Sequence, residues 1–365
     1  MPVIIDGTNG ITQAGEFNSD SSFGFKNRII NGQMTFDQRN AGASVTPTDG
    51  QYTLDRWSSW LSQASKYTIQ QNAGSVTPPV GFTNYLGVTS SSAYTVGSSE
   101  YFGFAQYIEG FNTADLGWGT ANAKTVTLSF WVRSSLTGTF GGAINNGAYN
   151  RSYPFSYTIS SANTWEQKSI TIAGDTSGTW VGATNGTGIR IVFGIGMGSS
   201  ISGTAGSWSG SSFYSATGAT SVVGTNGATF YITGVQLEVG STATSFDYRP
   251  YGTELALCQR YYTLIVKGAN FYFVTASFYN ASIFYGIMTL PVQMRNIPTS
   301  AISSGAGNYT LYYNGTSTNS DGLNVVYSTN QTICLQNTTG SGTSGGVGGL
   351  YTGTASAFVA VQAEL

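Results

Sequence analysis

Val126-Thr127-Leu128-Ser129-Phe130-Trp131-Val132-Arg133 puts Val126, Leu128, Phe130 and Val132 on one parity and Thr127, Ser129, Trp131 and Arg133 on the other. A period of two is the mark of a strand with one face in a core. The same pattern recurs outward from it. Ile189, Ile191, Phe193 and Ile195 share a face, Ile170 and Ile172 repeat it after Trp165, and Tyr101 to Glu109 reads as a longer aromatic strand. β-branched and aromatic side chains dominate these runs, as half-buried pleated surfaces favour. Asn31-Gly32, Asn146-Gly147, Asn185-Gly186, Asn226-Gly227 and Asn314-Gly315 supply the positive φ that tight hairpins need. Many strands with little helix signal predict a sandwich or barrel.

Phe230 and Ile232 lie on one parity, whereas Val235, Leu237 and Val239 lie on the other. A β-bulge at Gly234 keeps both sets facing the core. Thr253 to Arg260 alone breaks the β pattern, with good helix formers and Thr253 as the expected cap after the turn Pro250-Tyr251-Gly252. It predicts a short helix joining two β domains. Its Leu255 or Cys258 faces a symmetry axis in a trimer, or packs on its own chain. Beyond it, Phe271–Phe278 and Ile283–Leu290 predict a hairpin around Asn280-Ala281. Tyr309–Tyr313, Leu323–Ser328, Thr332–Gln336 and Ala357–Ala363 predict further strands.

Length and composition bound the function. The 365 residues suit two domains and a tail. Charged residues make up 8%, against roughly 25% in ordinary soluble domains. Aromatics reach 14%, led by 23 Tyr, which excludes disorder as the general state. The net charge is −2 with no basic run, so electrostatic nucleic-acid binding is not expected. No apolar run approaches about 18 residues, so no membrane insertion is expected, and the first residues lack the pattern of a secretory signal. There is no histidine, which removes Ser–His and Cys–His catalysis and the common zinc sites. Cys258 and Cys334 sit in apolar runs and read as buried free thiols. From Asn296 to Ala363 the only charge is Asp321. A sheet without charges is poorly protected against edge pairing, so its edges are expected to be covered by other copies of the chain.

Catalytic residues are not expected. Glu100, Glu109 and Asp115 are close in sequence, but the odd spacing of Glu100 and Glu109 sends them to opposite faces of a strand. Gly340, Gly342 and Gly345 satisfy a G-x-G-x-x-G pattern with no helix to follow, and read as a surface loop. No cofactor is expected. For a structural calcium, which needs six or more oxygens, the candidates on offer are Asp37, near the first strand, and Glu238, in the last strand of the sandwich. Sugar recognition needs only aromatic faces and planar amides. Trp118, Trp180 and Trp208 each lie in Gly/Ser-rich loops, where an indole is used by a ligand or buried by a neighbour. Tyr309, Tyr312 and Tyr313, with Tyr351, are equal candidates for a glycan. Trp57 and Trp165 adjoin strands and are expected in the core.

Asn27-Arg28-Ile29-Ile30-Asn31-Gly32-Gln33-Met34-Thr35-Phe36-Asp37-Gln38-Arg39 resembles the opening of a domain of phage tail-fibre and virion structural proteins. Tyr52-Thr53-Leu54-Asp55-Arg56-Trp57 is similar to its next landmark. Val235-Gln236-Leu237-Glu238-Val239-Gly240 with Phe246-Asp247-Tyr248-Arg249-Pro250 resembles its close, and Gln259-Arg260-Tyr261-Tyr262 its junction. Met294-Arg295-Asn296-Ile297-Pro298-Thr299 and Ala363-Glu364-Leu365 resemble the C-terminal domain that often follows. The resemblance implies a jelly roll like that of carbohydrate-binding modules. Such modules often hold a structural calcium between their first and last strands, and often have an acid where this chain has Gln33 and Thr233. The expected organisation is all-β: a virion-attachment segment at 1–26, a jelly-roll sandwich at 27–250, a linking helix at 251–262 and a smaller, distal β-sandwich at 263–365. The implied function is that of a homotrimeric tail-fibre protomer, made in the host cytoplasm and placed in the virion. Its N-terminal segment meets a tail or other virion protein, and its partner on the host is a surface glycan or protein. A polysaccharide depolymerase and a purely structural decoration protein are the alternatives.

Overall fold

The computed structural model describes residues 26–365, together with the backbone of two short antiparallel strands, β1 (Ile4–Asp6) and β2 (Gly10–Gln13). Apart from these strands and Lys26, the expected attachment segment lies outside the described residues.

Two antiparallel sheets form the first sandwich. Its strands are β3 (Tyr52–Leu54), β4 (Trp57–Leu61), β5 (Tyr67–Gln71), β6 (Leu86–Ser90), β7 (Tyr101–Glu109), β8 (Val126–Ser134), β9 (Gly138–Asn146), β10 (Ser152–Ile159), β11 (Glu166–Ile172) and β12 (Thr187–Met197). A parallel pair, β13 (Ser202–Gly203) and β14 (Ser215–Ala216), precedes β15 (Thr229–Val239). One sheet has six strands in the order β10-β9-β12-β7-β4-β3, and the other five in the order β11-β8-β15-β6-β5. The parities read from the sequence face inward: Val126, Leu128, Phe130 and Val132 meet Phe104, Phe193 and Trp57 in one buried core. The bulge at Gly234 is present. The β15–β8 register slips between Thr233 and Gln236, so Ile232 and Val235 are both buried. Gly234 has φ +61°, and a Cβ there would lie 2.6 Å from the Phe82 ring, so the bulge needs glycine on both counts.

Helix α1 (Tyr251–Gln259) starts one turn earlier than expected. Pro250 is its N-cap, and Thr253 lies inside the first turn. Cys258 and Tyr261 pack against Ile30 and Phe36 of the same chain. Both cysteines are free and buried.

The remaining strands are β16 (Tyr262–Lys267), β17 (Tyr272–Phe278), β18 (Phe284–Thr289), β19 (Thr299–Ile302), β20 (Tyr309–Tyr313), β21 (Thr316–Ser320), β22 (Asn324–Val326), β23 (Thr332–Asn337), β24 (Val347–Thr352) and β25 (Phe358–Gln362). A three-stranded sheet, β16-β25-β19, packs on a seven-stranded one, β21-β20-β24-β17-β18-β23-β22. A second core fills the space between them, with Val359 and Val361 from one sheet and Phe278, Leu311 and Leu350 from the other. The fold is all-β, two sandwiches joined by one helix.

Candidate functional site

The motifs quoted above meet at one end of the first sandwich. Gln106 clamps the backbone of Ile30, its amide donating to the carbonyl and its carbonyl accepting the N–H, both at 2.8 Å. Asn31 holds Phe36 and the Asp55 carbonyl, and its own carbonyl accepts the Trp57 indole N–H. Asn27 Oδ1 accepts the N–H groups of Ile29 and Leu237, and its amide donates to the Val235 carbonyl, so the first segment lies along β15. Each of these residues satisfies buried backbone groups that would otherwise be costly.

The distal sandwich is fastened to this end by charge. Arg260 forms a fork with Glu109 at 2.6 and 2.9 Å, and the Tyr261 hydroxyl donates to the same carboxylate at 2.7 Å. Burial opposes ionisation of Glu109, but these donors outweigh it and hold its carboxyl below the usual range. Glu364 is clamped by two guanidinium groups, Arg39 at 2.7 Å and the buried Arg56. Arg56 also lies 3.5 Å over the Tyr261 ring, and Arg39 3.7 Å over Tyr262. Arg295 donates to the carbonyls of Ala363, Glu364 and Asn185, and the Tyr52 hydroxyl donates to the Leu365 carbonyl.

Beside this joint a cleft of about 880 Å³ opens between the sandwiches. Tyr52 and Gln51 line it from the first, and Asn296, Ile297, Phe358 and Gln362 from the second. Concave sites at domain junctions are preferred places for ligands. The amide NH₂ groups of Gln51, Asn296 and Gln362 donate to no group among the described residues, while their carbonyls accept from Thr48, Ile297 and Arg39. Three oriented, free donors therefore share the cleft with the rings of Tyr52 and Phe358. Its two carboxylates are engaged: Asp49 accepts the Leu61 N–H at 3.0 Å and the Tyr101 hydroxyl at 3.4 Å, and Glu364 is held as described.

The expected glycan residues are elsewhere. Trp118, Trp180 and Trp208 do come together, with ring centroids 4.8, 5.3 and 5.5 Å apart and edges set against faces. Their N–H groups donate to the carbonyls of Lys124, Ser177 and Ala173. In this arrangement each indole is largely covered by its neighbours. Tyr309 is a correction: it is fully buried, its hydroxyl donating to the Phe358 carbonyl at 2.7 Å, because β20 turns that parity into the second core. Tyr313 packs half-buried on Phe278, and Tyr312 is exposed beside Tyr351. Asp37 closes a turn through the N–H groups of Asn40 and Gly42, and burial raises its pKa. Glu238 accepts from Gln236 and Thr244. No cluster of three or more metal-binding side chains occurs among the described residues. Trp57 is fully buried, and Trp165 packs on Tyr85 and Tyr231. The cleft was not foreseen, because its walls come from segments some 250 to 310 positions apart.

No protein-family model matches the chain. No curated protein matches it. Among solved structures it is similar to the enzymatically active domain of tailspike protein 4 of bacteriophage CBA120, at 11% identity and a TM-score of 0.34 over 59% of this chain; it spans 22% of that chain. It is also similar to a family 61 carbohydrate-binding module in complex with β-1,4-galactotriose, at 11% identity and a TM-score of 0.30 over 59% of this chain and 100% of the module. A third is the family 11 module from Clostridium thermocellum in complex with a mixed-linked tetrasaccharide, at 12% identity and a TM-score of 0.27 over 55% of this chain and 98% of that one.

Proposed function

We propose that the chain is a structural, non-catalytic glycan-binding protomer of a phage tail fibre, and that the cleft between its sandwiches takes the sugar. The cleft carries the reading: free carboxamide donors and two aromatic rings match the hydroxyls and C–H faces of a neutral oligosaccharide. Catalysis of glycoside cleavage asks for two available carboxyl groups about 5–9 Å apart, and the cleft's acids are tied to other groups. The sequence motifs support placement in a virion, with residues 1–26 as the attachment segment.

We also read the chain as a homotrimer. The outer face of the seven-stranded sheet exposes Tyr272, Tyr312, Tyr327, Ile287 and Val347 and carries no charge, and a second copy of the same neutral surface suits it best. Multivalency then raises the avidity of weak sites. A glycan array probed with the intact protein, followed by incubation with the host polysaccharide, tests the functional reading. Retained oligosaccharides and no new reducing ends are expected. New reducing ends identify a depolymerase, and absence of any binding identifies a decoration protein.

A further inference from the structure

Arg190 lies on β12, outward from the core of the first sandwich, yet it is only 1% exposed. It pairs with no carboxylate among the described residues. Its Nη2 donates to Asn145 Oδ1 at a long 3.3 Å, and its Nε is buried without a partner. Four rings surround the guanidinium: Trp60 at 4.2 Å, Tyr149 at 4.6 Å, Tyr214 at 4.7 Å and Tyr107 at 6.0 Å. On the same face, the Ser58 Oγ is also buried and unpartnered. Asp49 reaches the group only indirectly, as acceptor from Tyr101, whose ring is 4.2 Å from Trp60.

Ring faces return only part of what a buried cation loses with its water. A structural role would be better served by a carboxylate partner or an apolar side chain. The outermost ring, Tyr149, is 38% exposed and sits in the β9–β10 turn at φ +56°. A bulky side chain in that region is strained, and such strain gathers where a segment has to move or hold a ligand.

We propose that Arg190 is the centre of a second binding site, which takes the carboxylate of an acidic sugar, and that Tyr149 covers it in the free protein. A carboxylate supplies the guanidinium with the paired acceptors it lacks. With Tyr149 swung out, the walls left around the guanidinium are the rings of Trp60, Tyr107 and Tyr214, and such an aromatic wall suits the C–H groups of a sugar better than the backbone of an acidic peptide. None of Arg190, Trp60, Tyr107, Tyr149 and Tyr214 lines the cleft, so this site stands independently of the first.

Calorimetry on the intact chain tests it with matched pairs: tetramers of galacturonate, glucuronate and mannuronate, each as free acid and as full methyl ester, with tetraglutamate as a peptide control. At least one free acid is expected to bind tenfold or more tighter than its ester. Arg190→Gln should abolish that preference, and Gln362→Leu in the cleft should leave it intact. Tyr149→Gly relieves the backbone and uncovers the site, so it should bind the same acid severalfold tighter. That variant decides the matter if Arg190→Gln does not fold. Equal affinity for acid and ester in every pair, a preference that survives Arg190→Gln, no gain with Tyr149→Gly, or tighter binding of tetraglutamate overturns the proposal.

Discussion

Replacing Glu364 by alanine removes the carboxylate shared by Arg39 and Arg56 without touching the backbone that Arg295 holds. Arg56 is 1% exposed and the Glu364 side chain 9%, so the pair is almost out of water. Breaking such a pair from one side strands the other charge and costs about 3–5 kcal/mol. Arg56 keeps the Tyr107 carbonyl and the Tyr261 ring, which points to the lower half of that range. Urea unfolding at neutral pH, followed by tryptophan fluorescence, measures the loss. The double variant Arg56→Met, Glu364→Met should recover most of it, because paired apolar side chains leave no uncompensated charge. A loss below about 1 kcal/mol in the single variant, or an equal loss in the double, would refute the view that this ion pair fastens the distal sandwich.

The buried Asp55 has Gln38 as its side-chain partner, at 2.6 Å, and burial pushes its pKa up to about 7. The folded chain therefore keeps a proton that the unfolded chain releases from pH 4 upward. This contribution to stability falls between about pH 4 and 7 and is flat above, by at most about 4 kcal/mol at about 1.4 kcal/mol per pH unit. The difference in urea midpoint between wild type and Asp55→Asn should follow that slope; a difference constant with pH would count against it. Gly234→Ala meets both a positive φ and the Phe82 ring, and should lose about 1–3 kcal/mol of thermal stability. Trp208→Ala should destabilise by about 2–4 kcal/mol through lost packing, with glycan-array binding unchanged; lost binding would return the indole cluster to the list of ligand sites. Sedimentation of the intact protein should give the mass of three protomers, and a folded monomer at high concentration would contradict the reading of the neutral sheet face.

The strands with strict alternation were legible because each has one face in a core, and Gly234 could be placed because the parity switch on β15 leaves no other solution. Strands β19, β21 and β24 were missed: Thr299–Ile302, Thr316–Ser320 and Val347–Thr352 carry Ser, Asn or Gly, whose local preferences favour turns, and only pairing with neighbours makes them strands. Trp118, Trp180 and Trp208 stand out in their Gly/Ser-rich loops, yet sequence has no way to show that they pack on one another. Tyr309 and Tyr312 look equivalent in a Tyr-rich run until the sheet assigns one to each face. The landmarks Arg39, Tyr52 and Glu364 are recognisable as motifs, but their meeting around a cleft is a property of how two sandwiches dock.

The most direct test of the central claim is retention of the intact protein on immobilised host surface polysaccharide, compared with a Gln51→Leu, Gln362→Leu variant whose fold is verified. The account predicts that retention falls at least tenfold when these two half-buried amides are removed. Undiminished retention would mean that the sugar is held somewhere other than between the two sandwiches.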